Sequence, residues 1–489
     1  MKYTKKHSFA LLFAALLTAS SLTACGETEM TETNVVPNET IATETEPETT
    51  DIDLLPEADY EGFDFHILST DPSCLWGWRV SIYAEEENGE PLNDAVFQRN
   101  MAIEERYNIT ISNTADKDSA PTSTEAKKLA LAGDDVYAIM SYGVKWQLVD
   151  AMTGCFLNLH SIDSIDFNHP WWNGGAAELM TIHDKVYMGF TEMNTFDNEA
   201  LPGIYVNLDL IVDNNLESPY DLVRNGTWTM DKIYDMAAAA VQDLDGDGLA
   251  SEGDVIGFSG GIGSFNSMLL ANNQPHILIG EDGRYILNHG TEGSIAAAEK
   301  IARLVNDKTV SGYQNDQSWA GSAFSTEKAL FHYGNVSDLS QLRECDFNLG
   351  IVPLPKFDEN QEEYYSMCSN QSMTIAIPKS NSNPERTGVI CEALGAYSRL
   401  PLREVYFESM LKRKAARDEE TAEMLDIIIE SKFVEIGALH ENSMGNVISP
   451  YFNAIRSSGT EQLASTAAST RKAFETALTK LEETYAGLE

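Results

Sequence analysis

Phe63-Asp64-Phe65-His66-Ile67 alternates apolar and polar side chains with a period of two, the pattern of a strand with one face in a core and one toward solvent. Downstream, Val96, Met101, Ile103 and Tyr107 recur near helical spacing after Asn93-Asp94, a candidate cap. Asn108 ends that run, and Ile109-Thr110-Ile111 starts a second strand. This is a β-α-β opening. A polar helix over residues 125–132, a strand over 136–140, an amphipathic stretch over 145–152 and a turn at Gly154 continue the alternation. Strands that alternate with helices predict an α/β domain with a largely parallel sheet.

The chain has 489 residues and a formal net charge of −43 at pH 7. Such an excess of carboxylates disfavours nucleic acid and anionic lipid as partners and favours a neutral or cationic ligand. From Tyr60 onward about 430 residues remain, enough for two or three lobes at roughly 100 to 200 residues each. Upstream, Lys2, Lys5 and Lys6 precede an apolar run from Phe9 to Leu17 that is too short for a permanent membrane span. Leu22-Thr23-Ala24-Cys25 then sets a small residue immediately before a cysteine, as in a lipoprotein cleavage site. Residues 1–24 are expected to be removed and Cys25 to carry lipid. Each buried methylene adds roughly 0.8 kcal/mol, so several acyl chains hold a protein on a membrane. The expected location is the outer face of a cell membrane.

Residues 25–59 contain Glu, Thr, Asn, Pro and Asp without lysine or arginine, and are expected to form a disordered acidic tether. Cys74, Cys155, Cys345, Cys368 and Cys391 lack metal-like spacing and the density of a disulfide scaffold, so buried, small apolar roles are expected. No later run approaches the eighteen or so apolar residues of a membrane span.

Asp243-Leu244-Asp245-Gly246-Asp247-Gly248-Leu249-Ala250-Ser251-Glu252-Gly253-Asp254 is the sharpest local motif and resembles an EF-hand calcium loop. Carboxylates at positions one, three and five suit a hard cation with six or seven oxygen ligands, as do a glycine at six, a carbonyl at seven and a carboxylate at twelve. Asp243, Asp245, Asp247, the Leu249 carbonyl and Asp254 fill those places, with Asp rather than Glu at twelve. A polar turn before a strand near Ile256 is the alternative. Any calcium here is expected to be structural.

Signs of catalysis are sparse. The chain has no His-Glu-x-x-His and no phosphate-binding loop, and Gly260-Gly261-Ile262-Gly263 lacks the lysine that such a loop needs. A neutral sugar offers hydroxyls and flat C–H faces, which aromatic rings and Asn, Asp, Gln or Arg side chains recognise. Open α/β sheets bind ligands at the carboxyl ends of their strands. Trp76 and Trp78 after the first strand, and Tyr142 with Trp146 after Met140, are therefore candidates, with core packing as the alternative for each. Trp172, in Pro170-Trp171-Trp172-Asn173-Gly174, is a further candidate, whereas Trp228 in Gly226-Thr227-Trp228-Thr229 reads as a buried residue at a helix start.

Several ordered segments carry a family likeness. They are Asp94-Ala95-Val96-Phe97-Gln98-Arg99-Asn100 into Glu104-Glu105-Arg106-Tyr107-Asn108, Asp134-Asp135-Val136-Tyr137, residues 154–159, and His183-Asp184-Lys185-Val186-Tyr187. Tyr205-Val206-Asn207, Pro219-Tyr220-Asp221-Leu222-Val223 and Phe347-Asn348-Leu349-Gly350-Ile351-Val352-Pro353-Leu354-Pro355 complete the series. Together with the cleavage site this order resembles the extracellular solute-binding proteins of ABC importers, in the sugar-binding group that includes the maltodextrin-binding protein.

The resemblance implies a two-lobed α/β fold of the periplasmic-binding type II class, with ligand in a cleft that closes by a hinge. It places the first lobe at 60–195 with 371–432 and the second at 196–370 with 433–489, with crossings near 192–198, 367–373 and 433–437. It also implies ligand contacts at Asn194 on the first crossing, at Trp319 and Asn335 in the second lobe, and at Tyr451, whose surroundings depart from the family pattern. The implied protein is a monomeric, non-enzymatic receptor without a catalytic cofactor. It would pass a carbohydrate, an oligosaccharide, to separate permease and ATPase subunits. A secreted glycoside hydrolase, a ligand-binding sensor subunit and a receptor for peptides or polyamines are the competing readings.

Overall fold

The computed structural model describes residues 50–71, 82–116, 119–194, 196–260, 264–280, 285–312, 317–342, 344–407, 419–458 and 462–488. Cys25, Cys74, Trp76, Trp78 and residues 261–263 lie outside them.

Two four-stranded sheets organise the body. The first contains β1 (Phe63–Thr70), β2 (Ile109–Asp116), β3 (Ile139–Gly143) and β11 (Met373–Ala376), in the order β11-β3-β1-β2. β1 runs parallel to both β2 and β3, and β11 runs antiparallel to β3 with Met373 opposite Gly143. The second contains β4 (Pro202–Asn207), β5 (Ile256–Ser259), β8 (Ala329–Asn335) and β9 (Leu349–Val352), in the order β5-β8-β4-β9. Here only β5 and β8 are parallel, so this sheet is mixed. A hairpin of β6 (Ile277–Ile279) and β7 (Tyr285–Leu287), and a short parallel ribbon of β10 (Ser366–Met367) and β12 (Lys432–Phe433), complete the strands.

The alternation in the first strand appears as expected, with Phe65 and Ile67 fully buried. The helix that follows spans Pro91–Tyr107 and ends at Asn108 in the left-handed region, as the sequence indicates. Its cap is Glu90 rather than Asn93-Asp94. Proline at the first helical position fixes the start, and the Asp94 carboxylate accepts the amides of Asn88 and Gly89 instead. The third strand lies at 139–143, a few residues beyond its expected place.

The body begins earlier than expected, because residues 50–59 are ordered on the first lobe. Leu55 is buried, the Tyr107 hydroxyl donates to the Pro56 carbonyl at 3.1 Å, and Arg399 pairs with Asp51 at 2.9 Å. Burial of a leucine contributes roughly 2 kcal/mol, more than an exposed ion pair such as Arg106–Glu57, so Leu55 anchors this stretch. The helix Glu419–Glu430 also departs from the expected boundary. Met424 sits in the second core, Thr421 meets the Tyr220 hydroxyl at 2.9 Å, and Arg224 reaches Glu420 and Glu423, so this helix belongs to the second lobe. The returning part of the first lobe therefore ends before residue 419.

The C-terminal helix Leu463–Gly487 touches both lobes. Its first half packs on the second, where Thr470 meets the His289 ring at 2.9 Å and Arg471 donates to the His289 carbonyl. Its end packs on the first. Tyr485 lies edge-on to Tyr187, and the Lys185 ammonium donates to the carbonyls of Tyr485, at 3.1 Å, and of Leu488. Among the described residues no helix is long and apolar enough to cross a membrane.

Candidate ligand-binding site

Strand direction locates the site. In the first sheet β1, β2 and β3 end on one edge, where β11 begins. In the second, β5 and β8 end where β4 begins, with Pro202 opposite Asn335. The chain changes lobe at these edges, entering β4 through residues 194–201 and β11 through 368–372. Strand ends and crossings thus line one region, where open sheets hold ligands.

On the first-lobe edge, the turn from β3 into the helix Val144–Ala151 is bonded to the crossing before β11. The amides of Val144 and Lys145 donate to the carbonyls of Ser372 and Asn370 at 2.9 and 3.0 Å. A β-carbon at Gly143 would lie 3.3 Å from the Gln371 carbonyl, so the close approach of the two segments favours glycine there. Trp146 is half-buried, and the Lys145 ammonium lies 5.3 Å from its ring centroid. Burial lowers the Lys145 pKa, and the Glu441 carboxylate opposes that shift. Asn370 and Gln371 are half-buried beside them, and neither side-chain amide hydrogen-bonds to a described residue. The Ser372 hydroxyl is buried and also without a partner.

The second-lobe edge is more fully bonded. The Tyr333 hydroxyl donates to Ser267 at 2.9 Å, and Ser259 pairs with His332 at 2.7 Å, where burial holds the imidazole pKa down at about 4. Asn335 starts a tight turn. Its amide donates to Asp338 at 2.8 Å and its carbonyl accepts the Tyr205 hydroxyl at 2.6 Å. Trp319 is half-buried with its ring over Gly312, where a β-carbon would come within 2.7 Å of it.

Three of the expected ligand aromatics are core residues. Tyr142 is fully buried and donates to Asp150 at 2.6 Å. Trp172 is 5% exposed, and its indole N–H donates to Glu392 at 2.7 Å. Trp171 and the His169 ring donate to the same carboxylate at the same distance, so this loop is built around one buried acceptor. Tyr451 is fully buried with its ring edge against His289 at 4.6 Å. None of the three offers a ring face to a ligand. Asn194 is buried in the first crossing, with its amide bonded to the Thr191 carbonyl. Of the expected residues, Trp146, Trp319 and Asn335 stand half-exposed. Lys145, Asn370 and Gln371 were not anticipated, since no local pattern links a turn after β3 to a crossing more than two hundred residues away.

Beside the first crossing the β10–β12 ribbon brings Lys432 onto Asp197 at 2.7 Å and Asn198 at 3.0 Å, with Glu192 nearby, its pKa pushed up by burial. The Cys368 amide donates to the Phe433 carbonyl at 2.8 Å, so the ribbon also fixes the start of the second crossing.

Solved structures resemble this arrangement. A cyclic α-maltosyl-1,6-maltose binding protein from Arthrobacter globiformis aligns with a TM-score of 0.58 at 12% identity, over 86% of this chain and all of that one. The chain has the two-lobed fold of periplasmic solute-binding proteins. Maltose-binding MalE from Listeria monocytogenes, solved with maltose, shares this solute-binding fold with a TM-score of 0.56 at 13% identity, over 87% and 98% of the two chains. UspC from M. tuberculosis aligns at 0.57 and 14% identity, over 85% and 100%. No protein-family model matches the sequence, and no curated protein does.

The Asp-rich loop lies outside this region. One carboxylate oxygen from each of Asp243, Asp245 and Asp247 lies within 4.8 Å of the others, and all three residues are exposed, a donor set that fits a hard cation. Gly248, at position six, adopts φ 78°, as that turn requires. Asp254 does not join them. Its carboxylate accepts the Leu244 and Ser251 amides at 2.8 and 2.9 Å, and those bonds hold its pKa below the usual range. Leu249 donates its amide to Asp247 at 2.7 Å.

Proposed function

We propose that this chain is a surface receptor that captures an oligosaccharide between its lobes and delivers it to the permease of an ABC importer. The observation that carries the reading is the first-lobe edge, where a half-exposed indole stands beside a crossing with two side-chain amides and a buried hydroxyl that lack partners among the described residues. Buried or half-buried polar groups without partners are costly, and sugar hydroxyls would satisfy them while a sugar face covers the ring. The fold likeness to maltose-binding and cyclic-maltosyl-maltose-binding structures supports the same ligand class. In this reading Cys25 carries the lipid that holds the receptor on the outer face of the membrane, the receptor is a monomer, and no chemistry occurs on the ligand. The Asp243–Asp245–Asp247 loop takes calcium as a structural clamp on the second lobe.

A thermal-shift screen of the purified chain tests this against oligosaccharides, peptides and polyamines, with product analysis on each hit. A ligand at a hundred times its Kd stabilises the native state by about 2.7 kcal/mol, a shift that such a screen resolves. A sugar that raises Tm and is recovered intact supports the receptor. A sugar that is consumed replaces it with a glycoside hydrolase, and stabilisation by peptides or polyamines alone overturns the carbohydrate assignment.

A further inference from the structure

The chemistry of Lys145 narrows the ligand beyond the class just proposed. Acidic residues outnumber Lys and Arg 76 to 33, and several ammonium groups pair with a carboxylate. Lys127 pairs with Asp150 at 2.9 Å, Lys232 with Glu217 at 3.2 Å and Lys300 with Asp231 at 2.7 Å. Lys145 has none within ion-pair distance among the described residues, although it is half-buried at the ligand-facing edge. Glu441 lies near enough to favour the charged form, but its carboxylate accepts the Ser449 hydroxyl at 2.8 Å. The ammonium is also held in place. Its backbone amide is bonded to the Asn370 carbonyl, and its head lies over the Trp146 ring.

We propose that the Lys145–Trp146 edge binds a sugar unit bearing a carboxylate, a uronic acid, whose anionic group pairs with the Lys145 ammonium while Asn370 and Gln371 read neighbouring hydroxyls. This rests on the reading of the chain as a carbohydrate receptor. A neutral hydroxyl would leave the charge of a partly desolvated ammonium uncompensated. A carboxylate makes a charge-assisted bond about twice as strong as a neutral one. A single ammonium matches a monoanion, whereas phosphate dianions ordinarily gather several donors. The geometry therefore favours a uronate over a sugar phosphate.

Isothermal titration of the full chain tests the proposal with trisaccharides in matched pairs, each neutral galacto-, gluco- or manno-configured sugar beside its uronate counterpart, and with glucose 6-phosphate as a separate arm. The expected result is that one uronate binds about tenfold or more tightly than its neutral partner. Lys145→Met should remove that preference and Lys145→Arg should keep most of it. The unfolding midpoint of both variants should stay near that of the parent, since the side chain is half-exposed. Equal or tighter binding of the neutral partners would overturn the uronate assignment and leave the carbohydrate reading intact. So would a preference that survives Lys145→Met, or tighter binding of the phosphate. Binding of no sugar in any arm would overturn both.

Discussion

Trp171–Trp172 and Lys145–Trp146 are two tryptophan sites on the same lobe with opposite bookkeeping of polar atoms. In the first, two indole N–H groups, an imidazole and the Asp166 amide converge on the buried Glu392 carboxylate, which is thereby satisfied within the protein. In the second, an ammonium lies over a half-exposed ring, and the neighbouring crossing carries two side-chain amides and a buried hydroxyl without partners among the described residues. Both look alike in sequence, as aromatics just past a turn signal. What separates a structural tryptophan from a ligand-facing one here is the state of its polar neighbours.

The largest expected effect lies on the satisfied side. Glu392→Ala would strand two buried indole donors at about 1 to 3 kcal/mol each, so urea unfolding should show a loss of about 3 to 5 kcal/mol. A loss under about 1 kcal/mol would erase the contrast. Trp172→Ala should cost a similar amount through its cavity, and Trp146→Ala only about 1 kcal/mol, because its ring is half in solvent already. Trp146→Ala should instead abolish the ligand-induced Tm rise. A variant that keeps that rise would remove Trp146 from the site.

Acid extends the comparison to the histidines. His440 is buried without a partner on either ring nitrogen, and burial pushes its pKa down to about 3, with His276 near 3 and His289 near 4. Above pH 6.5 these rings are neutral in both folded and unfolded chains, so their contribution is intact. As pH falls from 6.5 toward 4 the unfolded chain takes up protons that the native one refuses, and stability falls. Glu435 acts the other way, since burial raises its pKa to about 7 and protonation favours the fold between pH 7 and 4.5. Four depressed imidazoles, His332 included, outweigh the raised carboxyls of Glu435, Glu192, Asp338 and Asp426, so the urea midpoint should drop between pH 6.5 and 5. A rising midpoint would show that water or another group serves those nitrogens. The smallest effect belongs to the exposed loop, where Asp247→Asn without calcium should change stability by no more than about 0.5 kcal/mol. With calcium present, the variant should lose any metal-dependent rise in Tm.

Local patterns made much of the fold legible. Alternation marked β1, Asn108 marked the end of the helix Pro91–Tyr107, and buried Trp228 in Gly226-Thr227-Trp228-Thr229 marked the start of Met230–Ala240. Each of these features is decided within a few residues. The helix Glu419–Glu430 lies against β9 of the second sheet, a placement its stripe of Met424, Leu425, Ile428 and Ile429 does not encode, since it shows that a face is buried but not against which sheet. The site was harder for the same reason. Trp172 and Trp146 both follow turn signals, yet one meets Glu392 some 220 residues on and the other sits on a turn bonded to the Asn370 and Ser372 carbonyls. Their difference is written in long-range contacts that no spacing rule encodes.

The helix Leu463–Gly487 also sets the order in which the protein can be finished. Lys185 finds its acceptor on Tyr485, 300 residues later, and Leu488 closes over Gly154. At synthesis rates of about 5 to 20 residues per second, that stretch takes roughly 15 to 60 s to emerge. Strand β11 emerges partway through that stretch, but the cover on Tyr187 is missing until its end, whatever the second lobe has achieved. The first lobe is thus covered by a segment synthesised long after the strands β1, β2 and β3 that it helps to enclose.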